Sequence, residues 1–129
     1  MKQLTITARE YLAMRQKPQR RPYVSRSKRS ERSFGSIIFD SKAELERYQE
    51  LLVLKMAGAV KRIVLQPAFD LGGVLYKADF EVFWSDGQGV TYEDVKPSRA
   101  PADVMRRFRR NQQQVKTMHG VEVYLVEST

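Results

Sequence analysis

A chain of 129 residues with 42% hydrophobic content is large enough for a single domain with a core, and none of its apolar runs approaches the ~18–20 residues that cross a bilayer. It holds no cysteine and one histidine, His119, which excludes disulfide frameworks, thiolate metal sites and His-paired zinc. The net charge of +8 is unevenly placed: residues 1–36 carry ten Lys or Arg against Glu10 and Glu31, while residues 37–129 carry equal numbers of both signs. A neutral body with a cationic arm favours polyanions through counterion release, so nucleic acid is the expected partner and a membrane is not. The N-terminal apolar stretches are short and broken by charge, so no secretory signal is expected. With no cysteine, a reducing cytoplasmic setting follows as the expectation.

Thr7-Ala8-Arg9-Glu10 has the form of a capping box and predicts a short helix over about residues 8–16. Lys17 to Ser36, rich in Arg, Ser and Pro, reads as a linker or nucleic-acid-binding arm, with Arg20, Arg21, Arg26, Lys28 and Arg29 as its phosphate contacts. The domain proper is expected over residues 37–129, opening with Ser36-Ile37-Ile38-Phe39 as an extended run docked on it. Ser41-Lys42-Ala43-Glu44 is a second capping box and predicts a helix over 42–57. Leu45, Tyr48, Leu52 and Met56 form its buried stripe, Leu51 widens it, and Gly58 ends it. Residues 62–66 read as a strand stopped by Pro67, 68–71 as short and extended, and Gly72-Gly73 as a turn. Residues 74–84 read as one long strand, 85–89 as a hairpin turn and 90–96 as the return strand. After a loop, 102–119 is a helix with Val104, Phe108, Val115 and Met118 among its apolar positions, followed by Gly120 and a last strand over 121–126. The order predicts an α/β fold, a mixed sheet flanked by helices, because the helix at 102–119 carries the chain to a strand parallel to 90–96.

Acidic residues fall where this fold would gather them. Asp is disfavoured in strands, yet Asp79 stands between Ala78 and Phe80 inside an apolar run. Alternation puts Asp94 and Lys96 on one face, with Glu93 and Val95 on the other. If Asp79 pairs near Asp94, the two carboxylates repel each other without a cation and one pKa rises. Mg²⁺, which takes oxygen ligands and keeps several waters, would turn both into ligands, with the Val95 carbonyl as a third. Lys96 would then orient the attacking water or neutralise charge on the phosphorus centre. Glu44 either reaches this metal or serves its own capping box. Gln66 either closes a strand end or bonds substrate or a metal-bound water. Arg106, Arg107, Arg109 and Arg110 form a basic run, either a solvated face or, through Arg106 and Arg110, a clamp on phosphates. His119 reads as a helix-end residue favoured by the dipole.

These pieces resemble the PD-(D/E)xK nuclease superfamily and, within it, the small phage and prophage nucleases of the DUF1064 group. The resemblance spans Phe39 to Val126 and rests on Ser41-Lys42-Ala43-Glu44 with Arg47-Tyr48, Leu65-Gln66-Pro67-Ala68-Phe69, Tyr76-Lys77-Ala78-Asp79-Phe80, Glu93-Asp94-Val95-Lys96 and Gly120. It implies a restriction-endonuclease-like αβββαβ core and a site using Mg²⁺ or Mn²⁺. In that site Asp79 and Asp94 would be the motif acids, Lys96 the lysine, Glu44 the helix acid of resolvase-like branches, and Gln66 a recurrent glutamine. It implies a DNA endonuclease selective for branched or junction DNA in phage recombination or replication, acting in the bacterial cytoplasm. A homodimer is the assembly of the related Holliday-junction resolvases. The alternative is a non-catalytic nucleic-acid-binding or phage structural protein on the same scaffold. Two departures stand out: Ala78 precedes Asp79 where the superfamily's name has proline, and Pro97 follows Lys96 where similar sequences have glycine.

Overall fold

The computed structural model describes residues 28–128. The helix expected over 8–16 and the arm residues Arg20, Arg21 and Arg26 lie outside the described residues.

A 3₁₀ turn at Arg29–Glu31 leads into a small ribbon, β1 (Ser33–Phe34) and β2 (Ile37–Ile38), paired Phe34↔Ile37. The folded body thus includes residues that charge alone groups with the arm. Arg32 is only 2% exposed. The Tyr48 ring lies 5.8 Å from Phe34, 5.1 Å from Phe39 and 6.2 Å from Phe80, so one aromatic knot joins the ribbon, the first helix and the sheet.

Helix α1 (Lys42–Met56) starts because Ser41 is extended and its Oγ accepts the Glu44 N–H at 3.1 Å. It buries Leu45, Tyr48, Leu51 and Leu52, together with Ala43 and Glu44. Met56, expected in that stripe, is 85% exposed. It sits in the last turn, where the chain already swings through Gly58 (φ +84°) toward the sheet.

The central sheet is built from β3 (Val60–Leu65), β6 (Phe80–Trp84), β7 (Val90–Pro97) and β8 (Val123–Ser128), in the order β3-β6-β7-β8. β3, β6 and β7 form an antiparallel meander, and α2 (Ala102–His119) crosses over to place β8 parallel to β7. The core order is therefore αβββαβ, a mixed sheet between two helices. Leu45, Leu51 and Leu52 of α1 pack with Ile63, Phe80, Val82 and Val95 on one face. Phe108 and Val115 of α2 pack with Ala78, Val123 and Leu125 on the other. Met118 leaves this second core and is 52% exposed, because it lies beside the αL cap at Gly120 where the helix ends. Among the described residues no helix is long and apolar enough to cross a membrane.

The strand expected over 74–84 is two strands, not one. β4 (Ala68–Asp70) and β5 (Leu75–Lys77) form their own ladder, and Ala78-Asp79 separates β5 from β6. The hairpin keeps its register across the gap, with Leu65↔Phe80 on one side and Ala68↔Lys77 on the other. In between, Gln66 N–H bonds to Asp79 O at 2.9 Å and Ala78 N–H to Pro67 O at 3.0 Å. Pro67 has no N–H to donate and Gln66 has φ +52°, so the ladder cannot stay regular there and the hairpin bends. The bent portion carries Phe69 and Tyr76 into the core on the α2 side. Its far end is held by the Asp70 carboxylate, which accepts the Gly72 and Gly73 N–H groups, and by His119 Nε2, 2.7 Å from Asp70 O.

Helix α1 is fixed to β7 by a fork-to-fork pair: Arg47 Nε and a terminal nitrogen bond the two Glu93 oxygens at 2.8 and 2.7 Å. Both side chains are largely buried. Arg47→Ala would strand the Glu93 carboxylate and is expected to cost roughly 3 kcal/mol of stability, read as a lower urea midpoint at unchanged slope.

Candidate active site

The bend at residues 78–79 determines where the first acid goes. Beyond Phe80↔Glu93, β6 no longer offers backbone carbonyls to β7. The Asp79 side chain takes that place: its Oδ2 accepts the Val95 N–H at 2.6 Å, while Asp79 N–H bonds to Glu93 O at 2.9 Å. This short bond fixes the carboxyl group in position. In extended backbone the N–H and C=O of one residue face the same edge, so the Val95 carbonyl also looks toward Asp79.

Asp94 is 4% exposed and doubly held. Lys96 Nζ donates to its Oδ1 at 2.7 Å, and the Tyr76 hydroxyl donates to its Oδ2. Tyr76 reaches Asp94 because the bend turns β5 over the α2 face. Lys96 Nζ lies 5.7 Å from the centroid of Phe108, whose ring supports the ammonium from below. Glu44, 8% exposed, projects from the first turn of α1 and lines the same cavity as Asp79 and Asp94. Glu44 therefore does more than cap its helix: its N–H meets Ser41 Oγ while its side chain lines the cavity with the other acids.

Asp79 and Glu44, drawn together with other acids in a poorly solvated place, resist ionisation. Burial, then the charges of Glu44 and Asp94, push the Asp79 pKa up to about 9, against the bond from Val95 N–H. Burial, then the charges of Asp40 and Asp94, push Glu44 up to about 7. Burial and the neighbouring Asp94 also push the Tyr76 hydroxyl upward, so it remains a donor.

The cluster opens into a cavity of about 500 Å³. Glu44, Asp79, Asp94 and Lys96 line it with Tyr76, and so do Arg32, Asp40, Lys77, Arg107 and Asn111. A smaller cavity of about 160 Å³ shares Glu44 and Asp79 and is lined on its other side by Gln66. The strained backbone of Gln66 belongs to this boundary.

The structure thus brings Glu44, Asp79, Asp94, Val95 and Lys96 together and sets Gln66 behind them. Lys28 and Arg29 do not line the cavity, and neither do Arg106 and Arg110, which are exposed on α2. The arginine of that run that faces the cavity is Arg107, with Asn111 one turn on. A signal for this face was present: Asn111 is the polar member of the spacing Val104, Phe108, Asn111, Val115. Tyr76 and Arg32 carried no comparable local signal.

The donor set is all oxygen, as a hard divalent cation requires, and the raised carboxyls of Asp79 and Glu44 hold protons that such a cation would displace. Among the described residues no group of three or more His, Cys, Asp or Glu side chains is placed, as they stand, to hold a metal ion. Asp94 is engaged by Lys96 and Tyr76 and Asp79 by Val95, contacts that a bound cation would exchange or share.

The sequence profile of a family described as "Protein of unknown function (DUF1064)" matches residues 26–124. No curated protein and no solved structure matches the chain significantly.

The raised carboxyls make stability depend on pH. Asp79 binds its proton up to about pH 9 when folded, against an ordinary value of 3.8, so its contribution is full below 3.8 and is lost as pH rises through 9. Glu44 acts likewise between 4.5 and about 7. In EDTA, the Tm is expected to fall from weakly acidic to alkaline pH, and Asp79→Asn is expected to flatten that fall and raise Tm at alkaline pH. Mg²⁺ is expected to raise the alkaline Tm of the parent protein but not of Asp79→Asn.

Proposed function

We propose that this chain, which belongs to the DUF1064 family, is a divalent-metal-dependent DNA endonuclease. The observation that carries the reading is the meeting of Glu44, Asp79, Asp94 and Lys96 at one open cavity. Burial first, and neighbouring negative charge second, raise the pKa of Asp79 and Glu44 there.

Asp79, Asp94 and Glu44, with the Val95 carbonyl, would hold Mg²⁺ or Mn²⁺. A bound ion of this kind supplies Lewis acidity and lowers the pKa of its water. The residues of the chain do the rest. Asp79 is kept in place by Val95 N–H and Asp94 by Tyr76, so neither has to be ordered when substrate arrives. Lys96, held by Asp94 and Phe108, keeps an ammonium at the cavity wall. There it meets the attacking water or the charge growing on the phosphate oxygens. The reaction class is phosphodiester hydrolysis: a water oxygen bonds to phosphorus, the ester P–O bond breaks, and the leaving oxygen takes up a proton.

DNA as substrate is supported by the basic N-terminal segment and the open cavity. Selectivity for branched DNA is the finer part of the proposal, and the choice of substrates addresses it.

The test is cleavage of linear duplex, single-stranded and four-way-junction DNA with Mg²⁺ or EDTA. Cleavage is expected only with the metal, and Asp79→Ala and Lys96→Ala are each expected to lower it by ~10²–10³-fold while binding survives. Intact DNA under every condition, with binding retained, would leave a non-catalytic nucleic-acid-binding protein. Deleting residues 1–27, which keeps Arg32 and β1 in place, is expected to weaken DNA binding and flatten its salt dependence, because it removes seven basic side chains.

A further inference from the structure

The cavity is lined by more than the groups used by the chemistry above: Arg107 and Asn111 of α2 and Lys77 of β5 line it as well. Arg107 and Asn111 are four residues apart, so they share one face of the helix. Among the described residues, none of the three side chains makes a hydrogen bond or ion pair. Asp103, one turn before Arg107, does not pair with it either. A guanidinium, an amide and an ammonium with open donors, lining the same open cavity as a cluster of acids, fit an anion that lies beside those acids.

We propose that Arg107, assisted by Asn111 and Lys77, grips the phosphate adjacent to the one hydrolysed, so that the nucleic acid runs from the acid cluster toward α2. This rests on the nuclease reading for the identity of the neighbouring group, but not for the binding of the phosphate itself. A planar guanidinium can meet two phosphate oxygens at once, and the Asn111 amide can donate to a third or to the sugar. The geometry also explains why one member of a run of four arginines matters. Arg106 and Arg110 face outward, and Arg109 bonds Gln112 at 3.1 Å. Arg107 is a positioning residue in this account, because it holds substrate and not the reacting atoms.

The experiment uses the full chain and a short fluorescein-labelled DNA duplex in EDTA, where cleavage cannot interfere. Arg107→Ala is expected to weaken binding by about tenfold and to lower the slope of log K against log salt by about 1. Asn111→Ala is expected to give a smaller loss, and Arg107→Lys to recover part of it, since charge returns without the fork. Lys61→Ala, which removes the same charge from an exposed site on β3, is expected to leave both quantities unchanged. In Mg²⁺, Arg107→Ala is expected to raise KM while kcat stays within about threefold of the parent. Asp79→Ala should show the reverse pattern, lost turnover at retained affinity. If the parent cleaves nothing, the nuclease reading fails while the contrast between Arg107→Ala and Lys61→Ala in EDTA still decides the grip. Equal affinity and equal salt slope for the parent and Arg107→Ala, at equal Tm, would overturn the proposal. So would a loss matched by Lys61→Ala.

Discussion

A single substitution of partners organises the site: a side-chain carboxylate stands where a strand would have supplied a backbone carbonyl. β6 gives out at Phe80, and Val95 on β7 is left with an N–H that still needs an acceptor. Asp79 provides it. A buried backbone donor must be satisfied, so the requirement is as firm as any in the ladder. It brings an acidic side chain against the strand that also presents Asp94 and Lys96. The site is thus a consequence of how a sheet ends, with the acids filling the gap.

Holding several acids together needs support from outside the cluster, and the supports lie on separate elements. Tyr76 comes from the bent hairpin, and Lys96 is backed by Phe108 of α2. On the other face, Arg47 and Glu93 set the position of α1 along β7. Glu44 lies one turn before Arg47, so the same pairing fixes how far the helix acid reaches. Glu93 and Asp94 are adjacent in sequence and opposite in face. One fastens a helix and the other serves the cavity, which is the division that strand alternation produces.

Much of this was readable in the chain. Both helices announced themselves through their caps and apolar spacing, and Ala102–His119 has the bounds expected of it. Acid and lysine at positions 94 and 96 gave the face they share. The division of the 74–84 segment was not readable, because its own pattern is continuous and the break is imposed by Pro67 across the hairpin. That is a non-local cause, outside the reach of any window along the strand. The phase of the arginine run was likewise hidden, since four basic residues in five satisfy every face of a helix. Only the polar Asn111 among apolar neighbours marks the face. Arg32 was lost among the many cations around it, and nothing but its burial distinguishes it.

That burial has a further consequence. Arg32 lines the cavity, and the chain preceding Lys28 is joined to the body only four residues away. Seven cationic side chains precede Lys28 in the sequence, so the basic segment is joined to the body close to a residue that lines the cavity. Under the proposed function, a polyanion captured by that segment would be tethered to the same molecule as the acids, and its encounter with them would follow an effective concentration and not the bulk one.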